Sequence, residues 1–324
     1  MNIGIVGNGM IIDMAGEAIT RQPDFTCTAI VCRPGSRDKA EKYAKKFQIP
    51  RIYTDYQEFL EHAPVEAVYI GIVNSEHYHY AKQALLAGKH VILEKPFTVS
   101  QKEAKELAQI AGETGKMLLE AIYIRYCGWM ESVRKGAEHL GRIKLIQCSY
   151  SQRSSRYDQY CRKTVLPVFD LALGGGALFD LGIYCVHFVD TVMKNEKIQG
   201  ISYKANRGFN GVDTSGVLTI SYPESLAVCV CAKDSDGARQ AVIQGEEGWI
   251  KVEPFPVAER VVLYKNHSDE VQILWQKTDS EKNFLLEEFQ ELSHILKGNL
   301  RDRAETGLEE SLRVMEVLEQ TKNN

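Results

Sequence analysis

The sequence predicts an α/β protein of two domains. Residues 1–121 form a parallel sheet covered by helices, and residues 122–324 form an α+β domain built on a large, mostly antiparallel open sheet. Three observations predict this. Short apolar runs alternate with amphipathic helical stretches as far as residue 120, a spacing that calls for parallel strands joined by crossover helices. From about residue 197 to 275 the pattern changes to β-branched alternation, broken by turn signals at 208–211, 234–237 and 246–248, which reads as an antiparallel meander. A chain of 324 residues, 44% hydrophobic and 25% charged, supplies two ordinary cores.

In order, residues 3–6 read as a strand, followed by Gly7-Asn8-Gly9 and a helix to about residue 21. Two glycines there allow a tight turn and bring a pyrophosphate close to the backbone at a helix N-terminus, so Gly7, Gly9, Met10 and Ile11 are candidate dinucleotide contacts. The third glycine of the usual G-x-G-x-x-G pattern is replaced by Ile12, whose bulk is expected to push the helix away from the strand. The strand at 26–32 ends in Cys32-Arg33-Pro34-Gly35-Ser36-Arg37. An NAD site usually places Asp or Glu there for the ribose hydroxyls. The guanidinium groups of Arg33 and Arg37 suit a 2′-phosphate instead, which predicts NADP(H) in preference to NAD(H).

The alternation continues with helix 38–47, strand 51–53, helix 55–61, strand 67–72, helix 77–87 and strand 90–93. Helix 101–114 opens with a capping box, Ser100 with Glu103, and strand 117–120 follows. Pro96 has no N–H to donate, so the strand at 90–93 stops on the charged pair Glu94-Lys95. That pair lies at the carboxyl end of a buried parallel strand, where open α/β sheets place ligands. Asn74 and His77 follow the neighbouring strand and are expected beside Lys95.

In the second half, helix 129–140 precedes a strand at 144–154 and a polar, aromatic loop at 155–167 that could lie over a substrate. Gly174, Gly175 and Gly176 open an apolar helix over 177–193, on which Asp180, Tyr184 and His187 share one stripe. A carboxylate on an apolar helix needs a partner, and Lys95 is the natural one for Asp180; His187 reads as a core residue. Two amphipathic helices, 283–296 and 304–320, close the chain and are free to pack back on the first domain.

Composition excludes several classes. A net charge of -4 and a pI near 6.1 offer no field for nucleic acid. Eight cysteines without a CxxC pair predict neither a metal site nor a disulfide framework. No run is read as approaching the roughly 20 apolar residues of a membrane span, and residues 1–7 pass straight into a strand, so a soluble cytoplasmic protein is expected.

With these motifs in hand, the chain resembles the Gfo/Idh/MocA oxidoreductases. The resemblance rests on Gly7-x-Gly9, Asn74-x-x-His77, the segment Gly88-Lys-His-Val-Ile-Leu-Glu-Lys-Pro96, and Gly175-Gly-Ala-Leu-Phe-Asp-Leu-Gly-Ile-Tyr184. Glu120-Ala-Ile-Tyr-Ile-Arg125 and Asp180-Leu-Gly-Ile-Tyr184 are most similar to the dimeric dihydrodiol and D-xylose dehydrogenase branch. Val73 departs from the family's proline, Ile12 from its small residue, and Cys127-Gly128 from its usual continuation after the arginine.

The resemblance implies a Rossmann-type first domain and a cis peptide before Pro96. It further implies hydride transfer between NADP(H) and a secondary alcohol or hemiacetal carbon of a sugar, polyol or trans-dihydrodiol. Lys95, Tyr184 and Asp180 are then the catalytic set. Tyr184 takes the hydroxyl proton as the lysine ammonium eases its ionisation, and Asp180 holds and polarises the lysine. Asn74, His77 and Glu94 join the cofactor contacts, while Tyr123, Arg125 and His187 are substrate candidates. A homodimer or homotetramer through the second domain's sheet is implied too. The alternatives are a non-catalytic cofactor-sensing regulator on the same fold and an NAD-dependent glycosidase.

Overall fold

The computed structural model describes residues 1–323 and divides into two compact units. The first comprises residues 1–126 with 281–312, and the second 127–280 with 313–324. The boundary thus falls after Tyr126 instead of residue 121. The segment 281–312, placed by the sequence reading in a 122–324 domain, belongs with the first unit.

In the first unit, β1 (Asn2–Val6), α1 (Ile11–Thr20), β2 (Thr26–Val31), α2 (Arg37–Phe47), β3 (Arg51–Tyr53) and α3 (Tyr56–His62) form one half. The other half is β4 (Ala67–Ile70), α4 (His77–Leu86), β5 (His90–Glu94), α5 (Gln101–Thr114), β6 (Leu118–Ala121) and the short α6 (Tyr123–Tyr126). The strands pair in parallel in the order β3-β2-β1-β4-β5-β6. That order reverses between β1 and β4, and a ligand crevice opens outside the carboxyl ends of the strands where it does. β1, β4 and β5 are almost wholly buried because helices cover both faces, which is why they read as apolar runs without alternation.

The second unit starts with α7 (Gly128–Ala137), β7 (Ile143–Ser151) and α8 (Tyr157–Cys161). A π-helical turn over Leu178–Gly182 then runs into α9 (Ile183–Met193). β8 (Gly200–Arg207), β9 (Asp213–Ser221), β10 (Leu226–Ala232), β11 (Gln240–Gly245), β12 (Gly248–Glu253), β13 (Arg260–Lys265) and β14 (Val271–Gln276) follow.

The open sheet has the order β14-β13-β12-β11-β7-β10-β9-β8. A single meander over 197–275 is therefore not what forms. β7 is inserted between β10 and β11, parallel to the first and antiparallel to the second, and splits the run into two meanders. β7, read from the sequence as 144–154, buries Ile146 and Cys148 on one face, and both its edges are paired. α10 (Leu285–Lys297) returns to the first unit and packs on α1 and α6. Phe289 there meets the Tyr69 ring edge-on, with centroids 5.3 Å apart. α11 (Arg301–Gln320) begins in the first unit and ends in the second.

One stretch corrects the reading of apolar runs. Residues Leu171–Met193 are long and apolar enough to cross a membrane, but 61% of their most apolar window is buried inside the protein. The stretch packs on β7 and β10 of its own unit, as a core helix does. All eight cysteines are free thiols, and Cys148, Cys185, Cys229 and Cys231 are buried side by side; burial pushes the pKa of Cys148, Cys185 and Cys231 up, and the hydrogen bond with Cys185, followed by burial, does so for Cys229. They behave as small apolar residues of the core.

Candidate active site

The glycine loop after β1 is shaped by sterics. Gly7 has φ +111°, and a Cβ on it would collide with the Gly71 carbonyl oxygen. Only glycine fits that conformation and that approach. Around Gly9, by contrast, the nearest atom to a built Cβ is 4.0 Å away. α1 starts after Met10 with no side chain capping it, and Met10 is 71% exposed. An open glycine, an accessible residue and an uncapped helix start fit the pyrophosphate of a dinucleotide.

Ile12 is fully buried, and its bulk is accommodated by an absence across the gap. A Cβ on Gly71, just beyond β4, would stand 3.0 Å from the Ile12 Cδ1 and 3.1 Å from the Tyr69 hydroxyl. Glycine has in effect moved from the third position of the motif to the end of the neighbouring strand.

The loop after β2 is tied to this one. Asn8 Nδ2 donates to the Ser36 carbonyl at 2.8 Å, and the Tyr43 hydroxyl donates to the Gly9 carbonyl at 3.2 Å. Arg33 and Arg37 are exposed beside that turn, and Arg37 Nε pairs with Glu41 Oε1 at 3.0 Å. Cys32, in the place of the usual acid, is buried, and the nearby Glu41 carboxylate is paired with Arg37.

The loops after β4 and β5 are joined by His77, which is fully buried. Its Nδ1 lies 2.8 Å from the Pro96 carbonyl and its Nε2 3.3 Å from the Ile72 carbonyl. Burial pushes the imidazole's pKa down, which favours the neutral ring. His77, expected among the cofactor contacts, therefore has both ring nitrogens turned to backbone and acts as a clasp between loops. Asn74 remains half-buried on the loop His77 holds.

The Lys95–Pro96 peptide is cis, and Lys95 is half-buried at the end of β5. Glu94 points inward. The Tyr69 hydroxyl donates to its Oε1 at 2.7 Å and the Lys95 backbone N–H to its Oε2 at 3.2 Å. Burial pushes its pKa up to about 7 against the pull of those donors.

Arg125 and Tyr123, expected at the substrate, are engaged elsewhere. The Arg125 side chain is 7% exposed, with Nη2 at 3.4 Å from Glu120 Oε2 and Nε at 3.0 Å from Glu310 Oε2. Ser311 Oγ completes the network with a 2.6 Å bond to Glu120. A guanidinium between two buried carboxylates holds α6 against α11, and such a pair is costly to break. Tyr123 is buried edge-to-face on Phe284, centroids 5.0 Å apart.

In the second unit the π-helical turn changes the expected stripe. Its wider turn carries Asp180, whereas Tyr184 stands in the first turn of α9, so an α-helical i, i+4 spacing does not relate the two. The turn is anchored by Asp213, which accepts from the Leu178 backbone N–H at 2.7 Å and the Tyr203 hydroxyl at 2.6 Å. Asp180 Oδ2 is bonded by Lys233 Nζ at 2.6 Å, a partner that sequence reasoning did not name. Its signal was the parity of β10. Ala227, Cys229 and Cys231 face inward, and Lys233 continues that face two residues on.

Tyr184 is half-buried with its ring edge-on to Tyr150, centroids 5.7 Å apart. The Arg239 guanidinium lies 5.1 Å from the Tyr150 ring. His187 is 3% exposed, in the core. The loop at 155–167 forms α8 and packs its own cluster. Tyr160 stacks on Phe169 and Phe209, and its hydroxyl donates to Asn210 Oδ1 at 2.6 Å.

Comparison with known proteins agrees with both units. Residues 1–122 match the oxidoreductase family model with an NAD-binding Rossmann fold, and residues 134–251 match the Gfo/Idh/MocA C-terminal domain. The scyllo-inositol 2-dehydrogenase (NADP(+)) IolU of Bacillus subtilis is 29% identical, covering 99% of this chain and 96% of its own. The trans-1,2-dihydrobenzene-1,2-diol dehydrogenase of Macaca fuscata fuscata is 30% identical, covering 76% and 72%. The crystal structure of KijD10, a 3-ketoreductase from Actinomadura kijaniata in complex with NADP and TDP-benzene, superposes with a TM-score of 0.84 at 20% identity, over 100% of this chain and 97% of that one. An aldose-aldose oxidoreductase from Caulobacter crescentus superposes at 0.79 with 21% identity, over 99% and 96%. The chain belongs to the Gfo/Idh/MocA family of NAD(P)-dependent oxidoreductases.

Proposed function

We propose that this protein transfers a hydride reversibly between NADP(H) and the CH–OH carbon of a sugar, polyol or trans-dihydrodiol. The observation that carries this reading is the grouping within the first unit. Lys95, the open glycine loop and the clasped loop of Asn74 all follow the carboxyl ends of adjacent strands, on both sides of the point where strand order reverses. The relatives support the substrate class, one acting on an inositol and others on a dihydrodiol, and the inositol dehydrogenase of Bacillus subtilis is named for NADP(+).

The nicotinamide cofactor supplies and accepts the hydride. Gly7, Gly9, Met10 and Ile11 hold its pyrophosphate through backbone, and Asn74 bounds the same crevice. Arg33 and Arg37 take the 2′-phosphate. The Arg37–Glu41 pair is about half exposed, so exchanging that carboxylate for a phosphate costs little. Lys95 stabilises the negative charge that develops on the substrate oxygen, and Tyr184 accepts the hydroxyl proton. Asp180, itself bonded by Lys233, is the third member of this set and helps hold and polarise Lys95. Glu94, closed off by Tyr69 and its own neighbour's N–H, keeps the Lys95 backbone in place.

The sheet of the second unit leaves Val217, Leu226, Val271 and Ile273 exposed on the face turned away from α7, and Trp249 stacks on Tyr264 there. This supports a homodimer or homotetramer through that face.

Fluorescence titration with NADPH and NADH tests the cofactor assignment. NADPH is expected to bind at least about tenfold more tightly, and Arg33→Ala or Arg37→Ala to lose about 1–2 kcal/mol of that preference. Equal affinity for the two cofactors in the wild type contradicts the phosphate assignment.

A further inference from the structure

We infer that Lys233 is a positioning residue of the reaction, which locks Asp180 to the segment 166–176. The inference rests on the hydride-transfer reading above for its consequence and on the second unit alone for its geometry.

Lys233 is 2% exposed, an unusual state for a lysine, which is almost never fully buried without a counter-charge. Its ammonium donates to Asp180 Oδ2 at 2.6 Å and to the Val168 carbonyl at 3.0 Å, and lies 4.9 Å from the centre of the Phe169 ring. Its backbone is equally fixed. The Lys233 N–H donates to the Thr214 carbonyl at 2.7 Å, and its carbonyl accepts from the Ser154 N–H at 2.8 Å. The charge is therefore delivered from a rigid strand end to a fixed point.

The two groups it joins belong to different pieces of the unit. Asp180 sits on the π-helical turn, with its side chain 32% exposed. Val168 and Phe169 lie in the segment that leads to the triple glycine, where the Gly176 N–H returns to the Val168 carbonyl at 3.2 Å. Asp213 fixes the start of the same turn from the other side through Leu178 N–H. One buried cation thus sets the position of Asp180 and that of the aromatic segment at once. A neutral residue there loses the charged link between Asp180 and the Val168 carbonyl.

The test compares Lys233→Gln, which retains a donor for the Val168 carbonyl without charge, with Lys233→Arg. Lys233→Gln is expected to lower kcat on the alcohol substrate by about 10²-fold, the usual effect of misplacing a reacting group by an ångström. The KM for NADP should stay within about twofold, since the cofactor contacts lie in the other unit. Lys233→Arg should recover most of the lost kcat. A Lys233→Gln protein with unchanged kcat, or a loss that arginine leaves unrestored, overturns the inference.

If the wild type oxidises or reduces no alcohol, the hydride-transfer reading fails, and amide hydrogen exchange decides on Lys233 alone. In Lys233→Gln, peptides covering 166–176 and 178–182 should both exchange faster while those of β7 and β11 do not. Exchange unchanged in either peptide overturns the link.

Discussion

Glu288 brings a carboxyl into the interior of the first unit, 1% exposed, on the helix that packs against α1 and α6. Its Oε1 has no hydrogen-bond partner among the described residues, and burial, followed by the nearby Glu94 charge, raises its pKa well above the ordinary glutamate value. Glu94 is raised in the same way, to about 7. An acid whose pKa is higher folded than unfolded binds a proton in the native state that the unfolded chain has already released. Stability is then greatest below the unfolded value of 4.5 and falls as pH rises towards the folded pKa, about 7 for Glu94. Glu288→Gln is always neutral, so it should raise the Tm at pH ~8 and leave it nearly unchanged at pH ~5. Thermal melts at the two pH values check this; a variant destabilised equally at both would contradict it.

Residue-scale roles were legible where the chain itself supplies the constraint. Glu94-Lys95 stands out because an apolar strand runs into it and Pro96 stops the ladder. The partner of Asp180 was not, because 53 residues separate it from Lys233 and only the sheet register brings them together. Arg125 and Tyr123 look like site residues in a motif. Their use is decided by α10 and α11, which lie far along the chain.

At the scale of elements, the packing of α1 against the sheet is the most sensitive joint. Ile12 fills the space that glycine at the third motif position would leave, and Gly71 makes room for it. Gly71→Ala should destabilise the protein by about 1–3 kcal/mol, as overpacking does. In an Ile12→Ala background, itself costing about 2–5 kcal/mol, the Gly71→Ala penalty should shrink. Chemical denaturation of the two single variants and the double variant measures the coupling; strictly additive losses would contradict compensation between the two positions.

The strands and helices of the first unit were readable because a buried parallel sheet writes each strand as an apolar run and each helix as a 3.6-residue period. The placement of β7 at the centre of the second sheet was not. Alternation reports that a strand has one buried face and says nothing of its neighbours. The π-helical turn left no mark either, since Leu178–Gly182 and α9 form one continuous apolar segment in sequence.

For the whole molecule, the division into a parallel α/β unit and an open-sheet unit followed from the change of pattern near the middle of the chain. The closing helices were left free to pack back on the first domain, but which residues return did not follow from the pattern. Leu285, Phe289 and Leu292 have the period of core helices, but the period does not say which core. That Glu281–Leu312 completes the first unit is a property of packing. It explains why Arg125 finds Glu310 and why Tyr69 finds Phe289.

The most direct measurement is reduction of NADP by the wild type and by Lys95→Met across a panel of polyols, sugars and trans-dihydrodiols, with NADPH affinity measured on both proteins. Turnover by the wild type on at least one alcohol is expected. Lys95→Met should lose it by about 10²–10³-fold with its NADPH affinity little changed, as the role proposed for the lysine at the oxygen where charge develops requires. Turnover that persists in Lys95→Met, or its absence on every alcohol despite tight NADPH binding, would contradict hydride transfer by this set of residues.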